Sequence, residues 1–146
     1  MNKRDEFLKS EMARLLQPGE QVLHTATAFT GPVLLASLFG VLGQVLLIKH
    51  YFAVLTNRRL LLIRSSMGMF GLKPLNRGVI EFPFDSLAAV RVGGVFNQRK
   101  LTLEGRDGSR VTVRLNSMVR QVSGQKEFCA QAPEILQRAA AGTLAA

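Results

Sequence analysis

Two hydrophobic rhythms take turns along this chain, one recurring every three to four residues and the other every second residue, and their order predicts the architecture. Phe7, Leu8, Met12, Leu15 and Leu16 fall on one stripe of a helix spanning about Lys3 to Gln17. Asn2 can cap it, Asp5 and Glu6 lie near the positive end of its dipole, and Pro18-Gly19 ends it. Its polar face carries balanced charge, which predicts a helix docked on the rest of the fold; a helix lying in a membrane surface shows basic excess. Glu20 to Phe29 then alternates as a strand through Val22, His24, Ala26 and Ala28.

The runs His50 to Leu55 and Arg59 to Ile63 flank Thr56-Asn57-Arg58, where Asn57 tolerates the left-handed backbone of a tight turn. Both are almost continuously apolar, so a hairpin covered on both faces is expected. Ser65 to Gly78 reads as a loop. From Val79 to Phe84, Ile80, Phe82 and Phe84 should point inward and Glu81 outward, with Pro83 shortening the strand. Ser86 to Val92 continues as strand up to a Gly93-Gly94 turn. Arg99 to Glu104 and Ser109 to Leu115 give the clearest hairpin, alternating about Gly105-Arg106-Asp107-Gly108. At the end, Phe128, Ala132, Ile135, Leu136 and Ala139 recur at helical spacing behind Ser123 as a cap, and Pro133 predicts a kink near Gln131 or a restart there. The apolar face of this last helix should close an open end of the sheet.

One stretch obeys neither rhythm. No charged side chain occurs from Thr25 to Ile48, and Pro32 to Ile48 is apolar except for Ser37 and Gln44. As a helix it would measure about 26 Å against a hydrocarbon layer of about 30 Å. Ala36, Ser37, Gly40, Gly43 and Gln44 would share one sector. Leu34, Leu35, Leu38, Phe39, Val41, Leu42, Val45, Leu46 and Ile48 would fill the remainder. Small residues permit close approach of another backbone, and the bulky face must be buried in lipid, in an oligomer interface or under the fold. The candidate membrane or oligomer contacts are Leu34, Leu35, Leu38, Phe39, Leu42, Leu46, Ala36, Gly40 and Gly43.

Length and charge narrow the picture. With 146 residues the chain suits one domain. The expected division is a helix over 1–17, a single domain over 18–141 that includes the insert at 31–48, and a tail at 142–146. A lone cysteine, Cys129, cannot form an internal disulfide, which is compatible with a reducing compartment. The first sixteen residues are charged throughout, so no secretory leader is expected. The formal charge is +9, and residues 1–48 contribute none of it, since Lys3, Arg4, Lys9 and Arg14 balance Asp5, Glu6, Glu11 and Glu20. All the excess lies after the apolar segment and favours an anionic partner.

With about seven strands and a closing helix in place, the sequence resembles the bacterial pleckstrin-homology-like (PH-like) domains, relatives of the PH and GRAM superfold. The residues that carry the resemblance are Pro18-Gly19-Glu20, the run from Tyr51 to Leu62 with Leu-Thr-Asn-Arg-Arg-Leu as its most specific part, the block Ile80 to Val90, Asp107-Gly108, and the helix with Phe128. The resemblance implies a mainly β (α+β) fold: two nearly orthogonal antiparallel sheets in a partly open barrel, plugged by the C-terminal helix. The apolar insert departs from the family pattern. A single bilayer crossing would put the first strand and the rest of the barrel on opposite sides, so a re-entrant or interfacial course is expected. The basic motif with which many PH domains bind phosphoinositides in their first hairpin does not occur between Glu20 and Ile48.

No catalytic constellation is visible. His24 and His50 are too few for most metal sites, the ten carboxylates are scattered, and Gly68 and Gly71 form no phosphate-cradling motif. The expectation is a protein that is not an enzyme and needs no cofactor. Candidate lipid- or anion-binding residues are Arg58 and Arg59 at the hairpin turn, Lys73 and Arg77 after it, and Lys100, Arg110 and Arg114 along the later hairpin, where an outward stripe can form. The leading expectation is a binding module at the inner face of the cell membrane. One alternative is a soluble homo-oligomeric interaction module built on the Ala36, Gly40 and Gly43 face. A nucleic-acid binder is the weaker alternative, since there is one Tyr, no Trp and no interleaving of basic and aromatic residues.

Overall fold

A computed structural model of the chain describes residues 3–30, 38, 49–66, 75–94, 98–117 and 122–142. Helix α1 (Lys3–Leu15) is followed by strands β1 (Val22–Thr30), β2 (Lys49–Thr56), β3 (Arg59–Ser66) and β4 (Leu75–Pro83). After a 3-10 turn at Phe84–Ser86 come β5 (Leu87–Gly93), β6 (Gln98–Gly105) and β7 (Arg110–Asn116), and helix α2 (Gln125–Ala140) closes the described chain. The strands form one antiparallel sheet in the order β4-β3-β2-β1-β7-β6-β5.

The two halves expected from the resemblance are joined, but sparsely. β1 pairs with β2 along its whole length and with β7 only at Phe29 opposite Arg114. Gln125, 1% exposed, mends the seam. The Thr27 N–H donates to its Oε1 (2.7 Å), while its Nε2 donates to the carbonyls of Thr27 (3.0 Å) and Asn116 (3.2 Å). A side-chain amide thus replaces a rung of the ladder, satisfying backbone groups that would otherwise be buried unpaired. Beside it, Gly124 lies so close to β1 that a Cβ there would sit 2.8 Å from the Thr25 carbonyl oxygen. Glycine is what lets the helix start press on the strand.

Alternation sorts the core into two clusters. Ala26, Ala28, Tyr51, Ala53, Leu55, Leu60, Leu62, Leu101, Leu103, Val113 and Leu115 face the barrel interior, where Phe128, Ala132 and Leu136 of α2 plug it. Phe52, Val54, Leu61 and Ile63 point to the opposite face and are covered by Phe7, Leu8 and Met12 of α1, with Phe7 and Phe52 ring centroids 5.1 Å apart. The two-faced apolar hairpin predicted from sequence is therefore covered on both sides, and α1 is the docked helix its charge balance implied. Full burial of each large side chain here is worth about 1.5–3 kcal/mol.

The fold differs from expectation in three local respects. β3 and β4 extend to Ser66 and Leu75, into residues read as loop, because their ladder continues past the Arg64/Ser65 bulge. Helix α2 runs through Pro133 without a break: Pro133 is among its buried residues, and that burial offsets the one backbone bond it cannot donate. Ser123 does not cap α2, whose N-cap is Gly124. Instead its N–H and hydroxyl reach Asp5 Oδ1 at 3.2 and 3.4 Å, tying the start of α2 to α1.

Candidate functional site

The outward face of β5–β7 gathers most of the described cations that the sequence singled out. Because Val90, Leu101, Leu103, Val113 and Leu115 point inward, their neighbours point out. Three registers cross these strands: Ala89–Glu104–Arg110, Arg91–Thr102–Thr112 and Gly93–Lys100–Arg114. Four cations (Arg91, Lys100, Arg110 and Arg114) face one carboxylate (Glu104), leaving three net positive charges. The Thr102 and Thr112 hydroxyls hydrogen-bond one another at 3.2 Å in the middle of the face.

The third register continues across the molecule. Arg114 is opposite Phe29, Phe29 opposite His50, His50 opposite Ser65, and Ser65 opposite Asn76, so one row crosses all seven strands. The next pair beside Phe29 and His50 is Thr30 with Lys49, the two residues that bound the apolar segment. Burial draws the His50 pKa below its usual value, and the charge of Arg4 on α1 lowers it further.

Arg59 does not belong to this surface. Its side chain is 9% exposed and fully engaged. Nε donates to Glu20 Oε2 (2.9 Å), Nη2 to Glu20 Oε1 and to the Leu15 carbonyl (2.8 Å each), and Nη1 lies 3.0 Å from Glu81. The Thr56 hydroxyl donates to Glu20 at 2.7 Å and accepts the N–H groups of Arg58 and Arg59. Burial alone would raise the Glu20 pKa, but hydrogen bonds from Arg59, Thr56 and the Gln17 N–H, with the Arg59 charge, bring it down to about 2. The corrected role of Arg59 is a clamp joining the end of α1, the start of β1, and strands β3 and β4. Its counter-charges lie far off in sequence, which is why the turn looked like free basic surface.

Arg58 is exposed, but it sits at the β2–β3 turn, roughly 24 Å along β2 from Lys49, and its guanidinium lies over Gly19. The structure thus separates it from Lys100, Arg110 and Arg114. Arg77 lies on β4, with its side chain outside the described residues, and Lys73 lies outside them altogether. So do all the candidate membrane or oligomer contacts except Leu38, which is helical and 80% exposed. Arg91 was missed. The bulge between Leu87 and Ala89 hides the parity of β5, and the available signal was its position between the inward Val90 and Val92.

Among the described residues no group of three or more His, Cys, Asp or Glu side chains can hold a metal ion, and no helix is long and apolar enough to cross a membrane. Cys129 is buried, which pushes its thiol pKa up. A groove of about 320 Å³ between β1 and α2 is lined by Val22, Leu23, Thr25 and Glu127 and carries no cation.

No protein-family model matches the chain, and no curated protein matches it in sequence. In structure it is similar to the hSac2 domain from human phosphoinositide phosphatase Sac2, with a TM-score of 0.56 and 12% identity over 96% of this chain and 82% of that one. The fold is PH-like. At such low identity the likeness carries the fold alone, and similarity to a human domain gives no support to a bacterial origin.

Proposed function

We propose that this chain is a non-enzymatic PH-like module that binds anionic lipid at the cytoplasmic surface of a membrane, with the outward face of β5–β7 toward the headgroups and the apolar segment 31–48 entering the adjoining layer. The observation that carries this reading is the seven-strand row. It sets Lys100 and Arg114 in register with Phe29, directly beside the pair Thr30 and Lys49 from which that segment departs. Cationic side chains near a headgroup layer contribute about 1 kcal/mol each, and apolar residues beside them add burial.

Thr30 and Lys49 are cross-strand partners, so both ends of the segment lie side by side on one rim. A single bilayer crossing would separate them; an interfacial or re-entrant course keeps them together. The structural neighbour, a domain of a phosphoinositide phosphatase, is compatible with a role at lipid surfaces.

Co-sedimentation with vesicles tests the proposal. The chain should pellet with phosphatidylcholine vesicles containing phosphatidylglycerol, less so as salt rises, and Lys100→Ala with Arg114→Ala should weaken binding roughly 30-fold at about 1 kcal/mol per cation. Protein that ignores anionic vesicles at low salt, or that forms a discrete detergent-independent assembly instead, sinks it.

A further inference from the structure

Glu104 is the single carboxylate on the basic face, and the two arginines beside it approach from opposite sides. β6 runs between β5 and β7, so Arg110 faces Glu104 directly across the β6–β7 ladder, while Arg91 reaches it diagonally from β5. Both guanidinium groups converge on one atom: Glu104 Oε1 lies 3.7 Å from Arg110 Nε and 3.9 Å from Arg91 Nη2. These separations give attraction without a hydrogen bond. The same chain shows what a committed pair looks like, since Glu20 accepts two bonds from Arg59 at 2.8 and 2.9 Å. The side chains of Arg91 and Arg110 are 70% and 61% exposed, and their forks are open to solvent.

We propose that Arg91 and Arg110 form a clamp for the phosphomonoester headgroup of a membrane lipid, and that Glu104, standing where a headgroup oxygen would sit, excludes singly charged headgroups from it. An anion entering the clamp meets two positive charges and one negative. A phosphodiester, with one charge, competes with Glu104 on equal terms and must remain beside it. A phosphomonoester carries about −1.5 to −2 at pH 7 and three strong acceptor oxygens, so it can take a fork from each arginine and displace the carboxylate. In the neighbouring register the Thr102 and Thr112 hydroxyls hydrogen-bond one another, with Thr102 buried. Lys100 and Arg114, about 13 Å along β6 and β7 from Glu104 and Arg110, supply general attraction and no geometric preference.

This inference rests on the membrane reading above, and the experiment separates the two. The full chain is titrated with phosphatidylcholine vesicles containing phosphatidic acid or phosphatidylglycerol, adjusted to equal surface charge. Phosphatidic acid should bind roughly fivefold more tightly, as one additional charge contact would give. Glu104→Gln should raise phosphatidylglycerol binding by about the same factor and narrow the difference. Arg91→Lys together with Arg110→Lys keeps the net charge but removes the planar forks, so it should abolish the preference while phosphatidylglycerol binding persists. Thermal melts confirm that each variant is folded.

Equal binding of the two vesicles, or a preference that survives both Arg→Lys changes, overturns the clamp and leaves the membrane reading standing. Binding to neither vesicle overturns both. Inorganic phosphate that binds the vesicle-free chain with the same dependence on Glu104 overturns the assignment to a lipid.

Discussion

The sheet presents two outward faces, and they treat arginine and glutamate in opposite ways. On the outside of β2 and β3, Phe52, Val54, Leu61 and Ile63 are sealed under α1, and the cation at the edge of that seal, Arg59, is saturated by Glu20, Glu81 and the Leu15 carbonyl. On the outside of β5–β7 nothing described lies over the strands. There a carboxylate stands near two guanidinium groups without hydrogen-bonding either. Where water is excluded, an unmatched charge costs several kcal/mol, so the chain supplies every partner; in solvent the cost is small and the charges can wait for an external anion.

Mutations that break the sealed side should have the largest effects. Arg59→Ala leaves Glu20 buried without its counter-ion and should lower the unfolding free energy in urea by about 3–5 kcal/mol. Phe7→Ala opens a cavity over Phe52 and should cost about 3 kcal/mol in the same assay.

Acid should reveal the same clamp more gently. With a folded pKa near 2 against an ordinary value of 4.5, Glu20 contributes stability that is fully present above pH 4.5 and is lost as pH falls from there towards 2. Glu20→Gln should flatten that limb of a stability–pH profile; an unchanged limb would show that other carboxylates set it.

On the open side, Arg91→Ala or Arg110→Ala should leave stability within about 0.5 kcal/mol while weakening vesicle binding. A large loss of stability from either would erase the contrast between the faces.

The two faces also differ in how much of them the sequence discloses. In β6 and β7 the strict alternation of Leu101, Leu103, Val113 and Leu115 with polar residues places Lys100, Arg110 and Arg114 outward without any knowledge of the fold, because period two is local. The apolar runs of β2 and β3 likewise announce that both faces are covered and the stripe of α1 announces a docked helix, but only the fold shows that the one covers the other. The fate of Arg59 cannot be read this way: its partners lie 39 residues before it and across the β3–β4 ladder, and only the fold brings them together.

In retrospect the most specific part of the family resemblance is the clamp itself. Pro18-Gly19-Glu20 and Thr56-Asn57-Arg58-Arg59 meet through Glu20 with Thr56 and Arg59, and through Gln21 with Asn57. The motif that identified the fold is structural, and the residues proposed to bind lie outside it. Parity at Arg91 was obscured by a one-residue bulge, a feature that single-sequence patterning does not register.

The pairing of Thr30 with Lys49 has a further consequence for how such a chain can change over time. A hairpin whose last cross-strand partners are fixed can be closed by a two-residue Asn-Gly turn as well as by a long excursion, and lengthening a loop costs only about 0.6 kcal/mol per doubling. The register of β1 and β2 is thus carried by the strands themselves as far as Thr30 and Lys49, whatever sequence joins them.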